Sequence, residues 1–347
     1  MSIADGMKDA RVRAHLMLAR IAVWEDELSP EAWERLAERE AREALGVFEE
    51  TTDEAGQANA WRTLGFVDWG RGRIDAAISS WQRAAAFAGL GGDRAGEAHD
   101  RAWLLIAYGF GSMPVEEALA CATDTLSLVE DVPAAKAEVL WEVASNNAML
   151  GNFEEAHAAM EASRQIERDL GRGLTASHFG AQVEELIYRL EGDRQARARV
   201  LRQGLRAYQQ VANELNAMLA ALLAQALADL GQDDEAWELA EAAEEASQGY
   251  LHVIPFVYSA QAIVLAHRGH YDEAEQHVRD AITTLRRTEF NTQTADALMT
   301  LGEVLRGAGR VSEAVAAISE ASAIYEEKGI VPLVERARSE IAQLRGV

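Results

Sequence analysis

The chain has one cysteine, five prolines and three lysines among 347 residues, and no apolar run long enough to cross a bilayer. Each scarcity excludes something. A single thiol, Cys121, can form neither an internal disulfide nor a cysteine-based zinc site. In its Ala-rich context (EEALACATDTL) it reads as a small buried side chain. The first residues, MSIADGMKDARVRAHL, hold no apolar signal core, so a cytoplasmic location is expected. There is no G-x-x-x-x-G-K-[ST] phosphate loop, nor any Gly-Lys pair at all. Basic charge is also short: 33 Lys and Arg stand against 57 Asp and Glu, for a formal charge of −24. So acidic a surface repels phosphate backbones and anionic lipid. Nucleic acid and membrane are therefore not expected as partners, whereas a basic partner would suit it.

What is present favours helix. The chain is 49% hydrophobic and 26% charged, the balance of a folded, soluble protein. Ala, Leu, Glu and Arg dominate, and all four are strong helix formers.

An internal repeat decides the architecture. From Trp61, steps of +3, +4, +16, +20 and +23 reach Leu64, Gly65, Ala77, Trp81 and Ala84. The same steps from Leu298 reach Leu301, Gly302, Ala314, Ile318 and Ala321, and from Ala220 they reach Leu223, Ala224, Ala236, Ala240 and Ala243. Further copies start at Leu140 and Tyr258. The first two steps mark one stripe of a helix, and the last three mark a stripe of a second. Gly72, Gly151, Gly231, Gly269 and Gly309 fall between them, where the first helix must end and the chain reverse. Small residues at +4, +16 and +23 allow close approach of the paired helices, and bulky ones such as Trp81 or Ile318 fill the gap beside them. Two copies are degenerate. One, near Ala102–Leu126, has an insertion in its turn (FGSMPVEEA); the other, near Ala181–Tyr208, puts Glu184 and Glu185 where Leu and Gly are expected. Pro30, Pro114, Pro133, Pro255 and Pro332 all fall at helix starts or in connections, where a missing N–H does no harm.

This pattern resembles the tetratricopeptide motif W-x2-L-G-x2-Y…A-x3-F-x2-A. The resemblance implies an all-α fold: a right-handed superhelical solenoid of about eight antiparallel helix pairs with a C-terminal capping helix. The expected layout is one solenoid over 1–347, with an N-terminal helix pair over 10–50, repeats over 58–330 and a cap over 332–344. Turn glycines recur about every forty residues rather than thirty-four, which means longer helices or looser joints. The phrases GSMPVEEALACATDTL, NAMLGNFEEAHAAMEASRQIERDLG and LGEVLRGAGRVSEAVAAISEASAIYEEKGIVPLVERARSEIAQL look more narrowly like the C-terminal repeat region of actinobacterial signalling proteins. Those join a class III cyclase or a LuxR-type DNA-binding domain to a signal-transduction ATPase and then to repeats.

In such a solenoid the first helices line a concave groove, at positions −2, +1, +5 and +8 from each motif start. The candidates in the first full repeat are Asn59, Arg62, Phe66 and Trp69, and the Leu140 repeat offers Trp141 and Ser145. Phe179, Gln182 and Arg189 follow in the degenerate repeat, then Gln225, Ser259, Met299, Glu303 and Arg306. Trp69 and Trp141 stand out, because exposed aromatics near arginine are enriched where proteins bind; burial between units is the alternative. Trp61 and Trp81 take core positions.

Catalytic and metal patterns are weak. His267 and His270 flank a turn glycine and should diverge. Glu184 and Glu185 point to different faces of one helix, so they make no carboxylate pair. Glu154-Glu155 and Asp233-Asp234-Glu235 open second helices, where negative charge meets the helix dipole. His178, near Glu184 and Glu185, is the polar group hardest to dismiss. The expectation is a non-catalytic scaffold without cofactor or metal, holding a protein or peptide; the alternatives are a peptide- or small-molecule-sensing module of a bacterial signalling ATPase or cyclase system and, third, an unrecognised enzyme on a helical scaffold.

Overall fold

A computed structural model describes residues 3–23, 29–172, 178–212, 215–247 and 251–346. Among them are seventeen helices and no strand. They form eight antiparallel pairs: α1(Ile3–Val23) with α2(Pro30–Glu50), α3(Glu54–Gly70) with α4(Ile74–Leu90), α5(Arg94–Phe110) with α6(Val115–Leu128) and α7(Pro133–Leu150) with α8(Phe153–Asp169). The series continues with α9(His178–Glu191) and α10(Arg194–Ala212), α11(Ala217–Ala228) and α12(Asp233–Ser247), α13(Ile254–His267) and α14(Tyr271–Leu285), and α15(Asn291–Gly307) and α16(Val311–Lys328). A last helix, α17(Val331–Arg345), follows.

The forty-residue period comes from the helices. One unit is two 17-residue helices, α3 and α4, with three-residue joints at 71–73 and 91–93. At 1.5 Å per residue each helix is about 25 Å long. The joints are tight. The five turn glycines expected from the sequence all have positive φ, between 67° at Gly72 and 84° at Gly151, a conformation that costs an L-residue free energy. Side-chain caps open several first helices: Asp53 accepts from the Gly56 N–H at 3.0 Å, Asp93 from Gly96 at 2.9 Å and Asn216 from Leu219 at 3.0 Å. Pro30 and Pro133 sit in the first turns of α2 and α7, as do Pro255 and Pro332 in α13 and α17, while Pro114 precedes α6.

The motif residues pack within a pair as their sizes suggest. A Cβ on Gly65 would meet the fully buried Trp81 indole at 2.6 Å, and one on Gly302 would meet Ile318 at 2.4 Å. Larger residues there would force the paired helices apart. Cys121 is half-buried rather than buried, packed beside the α5–α7 core.

The superhelix then bends round until its C-terminal units meet the second and third helix pairs. One continuous core runs from Trp81 and Val115 through α7 and α9 to α13, α15 and Tyr325. The α3–α4 turn and the α14–α15 joint touch: the Glu289 N–H donates to the Gly72 carbonyl at 2.8 Å, and the Asp75 N–H donates to the Glu289 carboxylate at 2.8 Å. Beyond them Lys328, at the end of α16, reaches into the FGSMPVEEA insertion. Its ammonium donates to the carbonyls of Tyr108, Gly111 and Met113 at 2.7, 2.8 and 2.6 Å. Those oxygens are left over where α5 stops, and a cation is the preferred partner for a helix C-terminus. Helix α17 packs on α16 and also touches α7 and α9, and its first two turns face the interior of the superhelix.

Candidate functional site

Bending the units into a ring gives the first helices a shared interior. It is a cavity of about 780 Å³, walled by α3, α5, α7, α9, α11, α13, α15 and α17, with Tyr208 from α10 and Tyr325 from α16. That volume falls within the usual range of small-molecule sites.

Nine of the fourteen candidate residues are on this wall: Trp69, Trp141, Ser145, Phe179, Gln182, Arg189, Gln225, Met299 and Glu303. Asn59, Arg62, Phe66, Ser259 and Arg306 are not. Arg62 turns sideways along the solenoid and grips the fully buried Asp100 of α5 through two bonds, at 2.6 and 2.8 Å. Its third contact is Asn59, at 2.6 Å. Together they clamp adjacent first helices. Phe66 lies edge-on between Trp81 and Trp103, with ring centroids 5.5 and 4.8 Å away. Ser259 is buried, and Arg306 is exposed beside Glu303 at 3.7 Å.

Two of the nine are also structural. Arg189 of α9 reaches across the interior to Asp296 of α15, at 3.2 Å, and the Tyr325 hydroxyl donates to the same carboxylate at 2.6 Å. Burial and the neighbouring Asp296 charge hold the Tyr325 hydroxyl well above its usual range, so it stays a donor. Gln225 donates to the Phe256 carbonyl at 3.0 Å, tying α11 to α13. The aromatic candidates converge with residues the motif did not flag. Trp69 stacks edge-on against Phe110 at 4.9 Å and Phe290 at 5.9 Å, and Phe179 against Trp103 at 5.3 Å. Trp141 is buried, 4% exposed, and its indole N–H has no hydrogen-bond partner among the described residues.

The remaining sequence candidates diverge. His267 lies 2.8 Å from Asp233, which joins α13 to α12, whereas His270 faces Glu273 at 3.9 Å. Glu184 pairs with Arg164 of α8, and Glu185 with Arg197 of α10 at 2.7 Å. Glu154-Glu155 and Asp233-Asp234-Glu235 do open α8 and α12. The side chain of His178 lies outside the described residues.

Sequence patterning gave no notice of Glu142. It sits in α7 next to Trp141, 8% exposed, on the cavity wall. Burial pushes its carboxyl up to about 7, opposed by the Lys328 charge. Burial likewise lowers Lys328, to about 8, and the Glu142 charge works against that. The available signals were an acid two residues after a motif start and one of only three lysines in a chain whose basic residues are mostly arginine.

A tetratricopeptide repeat family model matches residues 254–327. The fold is a tetratricopeptide-type solenoid. No curated protein matches the chain in sequence. Aspartyl phosphate phosphatase F from Bacillus subtilis superposes with a TM-score of 0.59 at 9% identity, covering 95% of this chain and 97% of that one. The Rap conjugation gene regulator of plasmid pLS20, solved with the Phr* peptide, gives 0.59 at 12% identity, with 92% and 97% covered. A signal transduction ATPase with numerous domains from Pyrococcus horikoshii, bearing a tetratricopeptide repeat sensor, gives 0.52 at 10% identity. That match covers 88% of this chain and 53% of the ATPase, so the solenoid spans about half of it. At these identities the likeness is one of fold. Among the described residues no helix is long and apolar enough to cross a membrane.

Proposed function

We propose that this protein is a non-catalytic regulatory scaffold that takes a short peptide or a small molecule into the interior of its superhelix. The observation that carries this is the closed shape. With the C-terminal units joined to the second and third helix pairs at Gly72–Glu289 and at Lys328, the concave face becomes a cavity of about 780 Å³. An open groove would suit a long extended partner; a cavity of this size suits a compact ligand or the end of a chain. Two of the structural neighbours support the reading, one solved with a peptide and one described as carrying a repeat sensor. The resemblance to the repeat regions of actinobacterial cyclase–ATPase and LuxR-type regulators points the same way. In such a system, occupancy would shift the packing of neighbouring units and so be communicated to an output domain or partner protein. The acidic exterior, at net −24, suits a basic surface on that partner, in the cytoplasm.

Filling the cavity tests this. Gln182 is half-buried on the wall, and Gln182→Trp would occupy ligand space without touching the motif stripes. A library of peptides and metabolites should contain compounds that raise the melting temperature of the wild type and not of Gln182→Trp. If equally stable wild-type and variant proteins respond alike to every compound, the interior is not the binding site.

A further inference from the structure

The charged groups around the cavity are almost all spoken for. Glu185 and Asp229 share Arg197, at 2.7 and 2.6 Å; Asp296 holds Arg189 and Tyr325; Arg336 holds Glu340 at 3.0 Å. Glu142 is the exception. The residue is 8% exposed and lies on the cavity wall, and no described residue donates a hydrogen bond to its carboxylate. Lys328 is near enough to be felt, but an ammonium has three protons, and all three go to the carbonyls of Tyr108, Gly111 and Met113. Lys328 therefore balances part of the charge without satisfying the oxygens. A buried carboxylate left in that condition is costly to the fold. On the other side, a Cβ at Gly109 would stand 3.3 Å from a Glu142 oxygen, so the absence of a side chain there leaves room beside the carboxylate.

The wall offers this carboxylate an apolar and aromatic setting. Trp69, Phe110 and Phe290 stack edge-on with one another, at 4.9 to 5.9 Å, and Trp141 adjoins Glu142 in α7. Aromatic faces and a desolvated carboxylate together attract an organic cation more than a neutral molecule of the same shape. Two lining residues also carry a fully buried polar atom without a partner among the described residues: the Trp141 indole N–H, a donor, and Gln293 Oε1, an acceptor.

Resting on the cavity reading above, we infer that the ligand presents a protonated amine to Glu142, carried on an apolar or aromatic body. The amine donates to the Glu142 oxygens, which Lys328 cannot reach. The body replaces water against Trp69, Phe110 and Phe290. The same ammonium chemistry is available from a free aryl-alkyl amine or from the lysine or N-terminus of a short peptide. Burial holds the Glu142 carboxyl near its midpoint at neutral pH, and an adjacent cation would draw it to the ionised form.

The full-length chain is titrated by calorimetry and thermal shift with a panel of aryl-alkyl amines, including 2-phenylethylamine and tryptamine. Their N-acetyl derivatives and tripeptides with an internal lysine are run alongside. The expected result is saturable binding of at least one amine or lysine tripeptide, at least tenfold weaker after acetylation of that amine. Glu142→Gln should weaken it by a similar factor, and Gln182→Trp should abolish it. The acetylation arm needs no variant, so it decides even if Glu142→Gln does not fold. Preference for free amines over lysine tripeptides, or the reverse, identifies the source. If neutral compounds bind as well as amines and are lost in Gln182→Trp, the cavity reading stands and the ammonium inference falls. If no amine or tripeptide binds below millimolar concentration, the ammonium inference falls as well. If no member of either series is sensitive to Gln182→Trp, both fall.

Discussion

Gly72 provides the cleanest perturbation of the closed ring. Gly72, Gly231 and Gly309 occupy the same turn of their repeats, with φ of 67°, 71° and 78°. Replacement by alanine places a Cβ in the left-handed region at each, a cost of about 1–2 kcal/mol. At Gly231 and Gly309 that Cβ would meet nothing within 4 Å, so the backbone term is the whole effect. At Gly72 it would stand 2.5 Å from Thr288 Cβ and 2.6 Å from Cγ2, far inside van der Waals contact. The two turns must move apart, at an overpacking cost of about 1–3 kcal/mol. Separation also strains the Glu289–Gly72 and Asp75–Glu289 hydrogen bonds, each worth about 0.5–1.5 kcal/mol. Gly72→Ala should therefore lose about 2–6 kcal/mol by urea unfolding, against about 1–2 for Gly231→Ala and Gly309→Ala. Small-angle scattering should show a larger radius of gyration for the Gly72 variant alone. Equal losses at all three positions, with unchanged scattering, would refute the idea that closure contributes to stability.

Two further outcomes follow from buried charge. Because Glu142 is raised from 4.5 to about 7 in the folded state, the unfolded chain releases this proton first as pH rises. Stability conferred by the protonated carboxyl is then lost between about pH 4.5 and pH 7, by roughly 3 kcal/mol at most. Glu142→Gln, which cannot ionise, should melt higher than wild type at pH 8 and close to it at pH 4.5; a constant difference across that range would contradict the assignment. Arg62→Ala strands the fully buried Asp100, whose carboxyl burial already raises and Arg62 brings down. Losing one partner of such a pair costs about 3–5 kcal/mol. Asp100→Asn in the Arg62→Ala background should recover much of the melting temperature. No recovery would mean that Arg62 does not act through Asp100.

The repeat was legible because its constraints are local. Gly65 against Trp81 and Gly302 against Ile318 are contacts within one helix pair, at a fixed distance in sequence, so periodicity alone exposes them. Positive φ at the turn glycines is local too. The inner face was partly legible for the same reason: Trp141, Gln182 and Met299 share one register position, +1, and all reach the cavity. Arg62 and Ser259 share that register and do not. A register position states where a side chain leaves its helix, while the curvature of the solenoid decides whether it meets a neighbouring helix or open space.

Closure was hidden for a related reason. Lys328 and Gly111 are 217 residues apart, and Glu289 and Asp75 are 214 apart, so no window of repeat length contains both partners. Degeneracy in the α5–α6 repeat was visible in the sequence as an insertion, FGSMPVEEA, and read alone it is a flaw in the pattern. In the folded chain it leaves three carbonyls unpaired at the end of α5, turned toward a lysine that the last repeat supplies. Lysine suits that task better than the arginine that makes up most of the chain's basic residues, since three protons on one small nitrogen can serve three converging oxygens and a planar guanidinium cannot. The departure from the motif thus supplies one of the two contacts that hold distant units together around the interior. With the three protons of Lys328 committed to the ring, Glu142 is left facing the cavity without a donor.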